Sequence, residues 1–415
     1  MNATSAKIEG RAWTMVTVAW VAVLLLNLAN FSLGMMLPAM REELNFGVEV
    51  AGYLSASSWI VKGIITIPIA LIVARISPRY VLTAVYCLAG LALLLQGNAQ
   101  NLMMVFIGRA LVNAAAAGIL SPLVPIKISW IPKDKIAQVN GIENFISPVG
   151  QSLGTVAVTY LLAILSGWRG VINTMGIIMI VVGVVFFFVY REKPGKEWVK
   201  SDVPFIEPLK DALRYKPVWL LALGWPGTSL VWIATYTFWP TYAVENLGIT
   251  MAQAGFVLGL LPIFSAIASL VSPTIAKWIG YDKLMIWPWG FILPLAYFGM
   301  LQTSNIAILS FCSALAGFGA YAFVPVAFTT LYRIPGIKPR TVTLGISCIL
   351  TMVGVGSALG GMLAGVIGEA MGLYNGMAIC CLSPFLFGIL TLFLPETGRK
   401  YQEKLAAEAA KVEVK

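Results

Sequence analysis

Three charged residues lie inside long apolar runs of this sequence, where a charge is costly. Lys62 lies near the middle of the run 48–74, and Arg109 and Glu143 lie in two later runs of the same kind. A charge at the centre of a bilayer costs roughly 3 kcal/mol even on lenient scales, so such a group normally faces a wet cavity or a partner. The apolar runs of the second half carry no comparable charge. The charged chemistry is therefore predicted to lie in the first half of a membrane protein.

Lys62 belongs to a polar stripe at helical spacing. Ser58, Lys62 and Thr66 recur every four residues, and a stripe of this kind faces protein or water because lipid offers it no hydrogen-bond partners. Trp59 lies about one turn before Lys62, near enough for a cation–π contact. Ser58, Trp59 and Lys62 are therefore predicted to line a substrate site, where Lys62 binds an anionic group. The alternative is a structural ion pair between Lys62 and Glu143.

Arg109 is the second candidate for binding an anion. A guanidinium suits planar, bidentate capture of a carboxylate, and Asn113 continues the same helix face one turn later. We predict that both residues bind substrate; the alternative is a packing arginine that bonds backbone carbonyls. Asn27 and Asn30, in the first apolar run, either bind the substrate through their amides or join helices.

Glu143 is predicted to carry the coupling proton. The chain has no histidine, and no other acid lies deep in an apolar run. Burial and a neighbouring cation act on a carboxylate in opposite directions, so substrate binding could change its protonation. The alternative is a permanent ion pair that never titrates.

Aromatic residues take the place of charges in the second half. Trp232, Tyr236 and Tyr321 fall deep in apolar runs and are predicted to form an aromatic wall of the site. Trp239 is predicted to lie at the membrane interface instead. A cationic wall and an aromatic wall together favour a small organic anion with an apolar body, such as a monocarboxylate, aromatic or larger.

Composition predicts an all-α polytopic membrane protein. The chain has 415 residues, of which 59% are hydrophobic and 11% charged. About twelve apolar runs are long enough to cross a ~30 Å hydrocarbon core as helices. They are 13–39, 48–74, 80–98, 102–126, 138–165, 169–190, 217–243, 252–277, 284–302, 305–332, 341–368 and 374–395.

The positions of the cations predict the orientation of the chain. Lysine and arginine crowd the even-numbered loops, Lys127 being assigned to the fourth, so the positive-inside rule puts both termini in the cytoplasm. Residues 13–37 are too long for a cleavable signal peptide and begin the first span. The scattered basic residues do not indicate nucleic-acid binding, despite a formal net charge of +10. The five cysteines fall inside apolar runs without the spacing of a metal site or disulfide framework, and no cofactor is predicted.

The two halves of the chain repeat each other. Residues 44–54 read LNFGVEVAGYL and residues 247–258 read LGITMAQAGFVL, so both place Ala-Gly-aromatic at the start of an even-numbered span. A parallel repeat of six spans is typical of one large class of transporters. It predicts two pseudo-symmetric six-helix halves, a cytoplasmic linker between them and a cytoplasmic tail. The first half is 1–190, the linker 191–216, the second half 217–396 and the tail 397–415.

The chain resembles the major facilitator superfamily over essentially its whole length. The signature of that family between spans two and three is a Gly, an Asp-Arg and then Gly with basic residues. In residues 70–80 of this chain, Arg75 and Arg79 match the basic positions, and Ala74 stands at the acidic one. Gly108-Arg109 resembles the arginine motif of span four, whereas the Gly-Pro-Gly-Gly antiporter motif is absent from span five.

The resemblance implies how such a protein works. It implies a substrate site between the two halves, which rock about it, a gating role for Arg75 and Arg79, substrate or proton handling by Arg109, and activity as a monomer. We therefore expect a secondary active transporter of small organic anions, coupled by proton symport or by anion exchange. Two deep cations against one deep anion leave about one positive charge, which favours an anion.

Other functional classes fit the sequence less well. The alternative is a proton-coupled exporter of drugs or other amphipathic compounds. An ATP-driven pump would need a Gly-rich phosphate loop ending in Gly-Lys-Ser/Thr, and an enzyme would need convergent catalytic groups; the sequence shows neither. The repeat disfavours a channel or receptor. The expected partners are the substrate anion, a proton or counter-anion and the lipid bilayer, in a prokaryotic inner membrane.

Overall fold

The computed structural model describes most of the chain as helix. It describes residues 10–73, 76–119, 122–123, 126–127, 130–132, 135–190, 211–333, 337 and 339–403. Within these ranges no strand occurs. The chain divides into two compact units, Met1–Asp202 and Val203–Lys415. Most of the predicted linker and tail lies outside the described residues.

Nine helices of the described chain are long and apolar enough to cross a membrane, by length and composition. The predicted spans outside this set of nine are 48–74, 102–126 and 284–302. The helix in the second of these ends at Ala117, and the third holds a helix of 11 residues that begins at Trp289.

The helices of the first unit follow the predicted spans, with one break. They are α1 (Gly10–Phe31), α2 (Leu33–Leu44), α3 (Val48–Val73), α4 (Pro78–Gly97), α5 (Leu102–Ala117), α6 (Ile136–Ile164) and α7 (Trp168–Val189). The predicted first span is thus two helices that meet at Ser32. The Ser32 hydroxyl donates to the Ala29 carbonyl at 2.9 Å, a bond of the kind that competes with the helix ladder.

In the second unit, two predicted spans are broken where proline enters the chain. The helices are α8 (Lys216–Glu245), α9 (Met251–Ile279), α10 (Trp289–Gly299), α11 (Ile306–Ala322), α12 (Val324–Tyr332), α13 (Pro339–Met371), α14 (Leu373–Cys381) and α15 (Pro384–Thr391). Pro325 and Pro384 follow the two breaks. Because proline has no amide hydrogen, it is tolerated in the first turn of a new helix more readily than within one.

The same pair of helices packs through glycine in each unit. α1 lies against α6, and α8 lies against α13. A Cβ atom on Gly154 would lie 2.7 Å from the Leu28 carbonyl oxygen, and one on Gly360 would lie 2.1 Å from the Leu230 carbonyl oxygen. Both glycines end a Gly-x-x-Leu-Gly sequence. The internal repeat therefore includes the close backbone contact that small residues allow between membrane helices.

A cluster at the loop ends of the first unit joins α2, α7 and the turn between α4 and α5. The Glu43 carboxylate accepts from Trp168 Nε1 at 2.6 Å and from Arg169 Nε at 2.7 Å. Arg169 Nη1 also donates to the carbonyls of Gly97 at 3.2 Å and Ala99 at 2.6 Å. The Arg169 hydrogen bond lowers the pKa of Glu43, against a smaller opposing effect of burial. One ion pair thus connects three separate helix ends.

Gly360→Ala is expected to destabilise the second unit. The added Cβ would push α13 away from the α8 backbone, and overpacking of this kind costs about 1–3 kcal/mol. The apparent melting temperature of the purified protein in detergent should fall. Gly354→Ala, on the same helix with no atom within 4 Å of the added Cβ, is the control and should leave it unchanged or slightly raised. Equal melting temperatures for the two variants would contradict the close contact.

The Glu43–Arg169 pair is expected to make stability depend on acid pH. Because the folded-state pKa of Glu43 lies below its ordinary value of 4.5, the contribution is complete above pH 4.5 and is lost as the pH falls through the folded-state pKa. The Glu43 side chain is 46% exposed, so the contribution is at most about 1 kcal/mol.

Melting temperatures of the wild type and Glu43→Gln, measured from pH 7 to pH 3, check this expectation. The wild type should melt higher at pH 7, and the difference should close at the acid end. Glu42→Gln, an exposed neighbour, should follow the wild type throughout. A gap between wild type and Glu43→Gln that stays constant with pH would rule out the ion pair as its cause.

Candidate functional site

Lys62 lies near the middle of α3, a 26-residue helix that packs against α5. Its Nζ atom is 5.3 Å from the centre of the Trp59 ring, so the cation–π contact expected from the sequence is present. Within the described residues of the first unit, no carboxylate lies within ion-pair distance of this amine. Lys62 is half-buried, and the ring face supplies only part of the stabilisation that a counter-ion would provide.

Arg109 places a second cation on α5 and is 6% exposed. Its Nη2 atom donates to the Asn30 carbonyl at 3.2 Å, and its Nε atom is buried without a hydrogen-bond partner in the described chain. A guanidinium has five N–H donors in a planar fork, and a buried donor without an acceptor is unfavourable. The arrangement therefore combines the backbone contact of a packing arginine with open capacity to bind an oxyanion.

Glu143 is paired with Lys127 in this structure. Lys127 Nζ donates to Glu143 Oε2 at 2.9 Å and to Asn140 Oδ1 at 2.8 Å. The alternative expected from the sequence, a structural ion pair between Lys62 and Glu143, is therefore wrong. Sequence analysis assigned Lys127 to a loop, although its neighbours in Pro-Ile-Lys-Ile are apolar.

This pairing changes the charge balance predicted for the interior of the first unit. Lys127 neutralises Glu143, so Glu143 is not available to offset Lys62 or Arg109. The excess from these two cations is two positive charges within the described part of the unit, rather than about one. An anionic ligand would neutralise part of this positive charge.

Of the two asparagines of α1, Asn27 joins helices through its side chain. Ser147 Oγ on α6 donates to Asn27 Oδ1 at 3.1 Å, and Asn27 Nδ2 donates to the Val23 carbonyl at 2.8 Å. Asn30 contributes its backbone carbonyl to Arg109. Asn113 Nδ2 donates to the Arg109 carbonyl at 3.0 Å, within α5.

In the second unit, the three predicted aromatic residues lie together. The ring of Trp232 is 5.3 Å from that of Tyr236 and 5.5 Å from that of Tyr321, between centroids. Tyr297 on α10 is fully buried, and its hydroxyl has no hydrogen-bond partner among the described residues. Trp239 does not face lipid as an interfacial belt residue would, because that side chain is fully buried and its Nε1 donates to the Met300 carbonyl at 2.9 Å.

Of the two residues predicted to act in gating, only Arg79 lies within the described part of the chain. Arg79 Nε donates to the Phe187 carbonyl at 3.0 Å, and its guanidinium lies 4.1 Å from the centre of the Phe187 ring. These contacts attach the start of α4 to the end of α7. Arg75 lies outside the described residues, and the gating role of both arginines stays a prediction.

Sequence analysis missed a polar network at one end of the second unit. The buried Asp282 carboxylate accepts from the Arg333 guanidinium and from Thr397 Oγ1, the latter at 2.8 Å. Glu396 Oε1 accepts from the amides of Asp282 and Gly398, each at 2.8 Å. The network joins the ends of α9, α12 and α15. The Pro-Glu-Thr-Gly sequence at the end of the last apolar run was the available signal, since its polar groups come directly after apolar residues.

Three curated relatives are similar to this chain at low identity. A probable L-galactonate transporter of Escherichia coli K12 is 21% identical over 78% of this chain and 78% of its own length. A probable nitrate transporter, NarT, of Staphylococcus epidermidis is 21% identical over 57% of this chain and 59% of its own length. A probable nitrate/nitrite antiporter, NarK1, of Thermus thermophilus is 24% identical over 43% of this chain and 42% of its own length.

Solved structures show the same fold. A bacterial homologue of the human lysosomal transporter Spinster, in an inward-facing and unoccupied conformation, matches 93% of this chain and 98% of its own with a TM-score of 0.81 at 15% identity. The occupied form of that homologue matches with a TM-score of 0.78, also at 15% identity. The family model of the Major Facilitator Superfamily matches residues 19–335. The resemblance drawn from the sequence is thereby confirmed: this chain belongs to the Major Facilitator Superfamily and is a multi-pass membrane transporter of that type.

Proposed function

We propose that this protein is a secondary active transporter of small organic anions, chiefly monocarboxylates with an apolar body. The observation that carries the proposal is the pair of interior cations, Lys62 and Arg109, which lack carboxylate partners in the described first unit. A carboxylate would neutralise charge and accept the N–H groups that Arg109 leaves without an acceptor.

The printed names of the relatives support an anionic substrate. L-Galactonate carries a carboxylate, and nitrate and nitrite are small oxyanions. Carboxylate and nitrate share a planar group whose negative charge is spread over oxygen atoms, and a guanidinium binds such a group with two parallel hydrogen bonds. The carboxylate and the nitrate or nitrite named for the relatives thus share a planar anionic group, which Arg109 is suited to bind.

The proposed cycle is alternating access between two six-helix halves in a prokaryotic inner membrane, with twelve spans and both termini in the cytoplasm. Arg75 and Arg79 act at the gate. Glu143 couples transport to a proton, and exchange of two anions is the other coupling mode. Trp232, Tyr236 and Tyr321 contact the apolar body of the substrate, which explains why aromatic groups replace charges in the second unit.

Thermal stabilisation of the purified protein tests the substrate class. The panel contains L-galactonate, benzoate, nitrate and a cationic drug-like amphiphile. A ligand at a hundred times its Kd stabilises the folded state by about 2.7 kcal/mol, so a carboxylate should raise the melting temperature of the wild type. That increase should be lost in Lys62→Ala and Arg109→Ala, because each removes a cation that faces the anion.

Matched controls separate binding from folding. Lys277→Ala and Arg214→Ala remove exposed cations of the second unit and should keep the carboxylate response. The ligand-free melting temperatures of Lys62→Ala and Arg109→Ala should change less than their ligand responses. Stabilisation by the cationic amphiphile alone would overturn the proposal and favour the proton-coupled exporter of amphipathic compounds.

Trp232→Ala is expected to raise the KM for bulky carboxylates more than for small ones, because the indole face supplies contact only to an apolar body. Uptake of benzoate and of acetate into proteoliposomes gives the two values. Trp278→Ala removes an exposed tryptophan of α9 and should change neither. An equal rise in both KM values for Trp232→Ala would argue against an aromatic wall.

A further inference from the structure

We propose that Lys127 is a third anion-binding group of this transporter, beside Lys62 and Arg109, held by Glu143 at rest and released to the substrate when Glu143 is protonated. This inference rests on the proposed function, since it requires a transported anion. It adds Lys127, which sequence analysis had placed in a loop, to the groups that bind the anion. It also gives protonation of Glu143 a specific consequence: Lys127 changes its partner from Glu143 to the substrate.

The geometry of the Lys127 side chain supports the inference. Its ammonium group donates to Glu143 Oε2 at 2.9 Å and to Asn140 Oδ1 at 2.8 Å. An ammonium carries three N–H donors, so one donor remains beyond these two bonds in the described residues. The two charged side chains are 13% and 14% exposed. The pair is therefore largely shielded, yet it keeps a surface through which a small anion can approach.

The step balances in charge and in protons. At rest, the lysine cation and the glutamate anion sum to zero. A proton from water forms an O–H bond on the Glu143 carboxylate, and the hydrogen bond from Lys127 Nζ to that carboxylate is replaced by one to the oxygen of a monovalent substrate. The group again sums to zero, with one proton and one anion gained. Because the substrate anion takes the place of the Glu143 carboxylate, Lys127 is never left without a counter-ion, which would be unfavourable in a shielded position.

Lys127 is the charged group that faces Glu143 among the described residues, through the ion pair. Tyr86 on α4 is a fully buried titratable group whose electrostatics couple to Glu143, and its hydroxyl has no hydrogen-bond partner in the described chain. α1, α2 and α7 also pack against α6, and no ion pair joins a described side chain of theirs to Glu143.

The competing explanation is a purely structural staple, in which Lys127 and Glu143 hold two segments together and touch no substrate. Both explanations predict that removing either charge lowers the melting temperature. They differ in whether anion affinity and proton uptake change, so the test measures these two quantities.

The experiment uses the full-length protein in detergent, with L-galactonate, benzoate and nitrate as probes. Affinity is measured at pH 5.5 and pH 8, and proton uptake on binding is followed with an indicator dye in weak buffer. The wild type should take up about one proton per anion at pH 8, because the proposed step protonates Glu143 as the anion binds. Glu143→Gln should bind with equal affinity at both pH values and take up no proton, because its neutral amide imitates the protonated acid.

Variants of Lys127 complete the test. Lys127→Met should lose about tenfold or more in anion affinity, together with the proton uptake, whereas Lys127→Arg should retain both in part because it keeps the cation. The double variant Lys127→Met with Glu143→Gln has no unpaired charge and remains informative where a single variant folds poorly; it should bind weakly and without pH dependence. Lys277→Met and Glu42→Gln, exposed residues outside the site, are the matched controls.

Each outcome separates the two proposals. If Lys127→Met, or the double variant in its place, keeps wild-type affinity and proton uptake, Lys127 is a structural staple and this inference is wrong, while the proposed function stands. If no probe binds the wild type at either pH and only cationic amphiphiles do, the proposed function fails and this inference fails with it. Loss of affinity and of proton uptake together supports both.

Discussion

Positive charge that no described carboxylate neutralises is the constraint on which the interior of the first unit depends. Lys62 faces an indole ring, and Arg109 donates to a backbone carbonyl. Neither contact replaces a counter-ion where water is scarce. Glu143 cannot supply one, because it already pairs with Lys127. A bound anion would neutralise charge that the described residues leave unpaired, and this is the physical basis of the proposed preference for anions.

Polar side chains in the first unit form either a frame, which holds helices together, or the candidate site, where hydrogen-bonding capacity is left for a ligand. Asn27 and Ser147 bond each other and hold α1 against α6, and the Glu43–Arg169 pair connects helix ends at the loops. These groups use most of their hydrogen-bonding capacity within the protein. Arg109, by contrast, keeps a buried Nε atom without a hydrogen-bond partner among the described residues. A frame with satisfied bonds can hold such a group in place, which a ligand site requires.

The two units share packing but differ in chemistry. Gly154 and Gly360 end the same short sequence pattern and allow the same close contact between corresponding helices. Lys62, Arg109 and Glu143 occur on helices of one unit, and the cluster around Trp232 occurs in the other. A repeated backbone constrains only the residues where helices meet. The remaining positions are therefore open to diverge, and in this chain they supply charge in one unit and aromatic surface in the other.

Composition was sufficient to predict a multi-pass membrane protein, and the resemblance in motifs and topology was sufficient to predict the superfamily. The charges of Lys62, Arg109 and Glu143 could be recognised because a charge within an apolar run is visible without any knowledge of its neighbours. The cation–π contact of Lys62 was also predictable, since both residues lie on one helix turn. The partner of Glu143 and the burial of Trp239 were not. These depend on which distant segments pack together, and hydropathy records only how apolar a segment is. Ion pairing and burial are set by contacts between segments that are far apart in the chain, so the tertiary structure alone decides them.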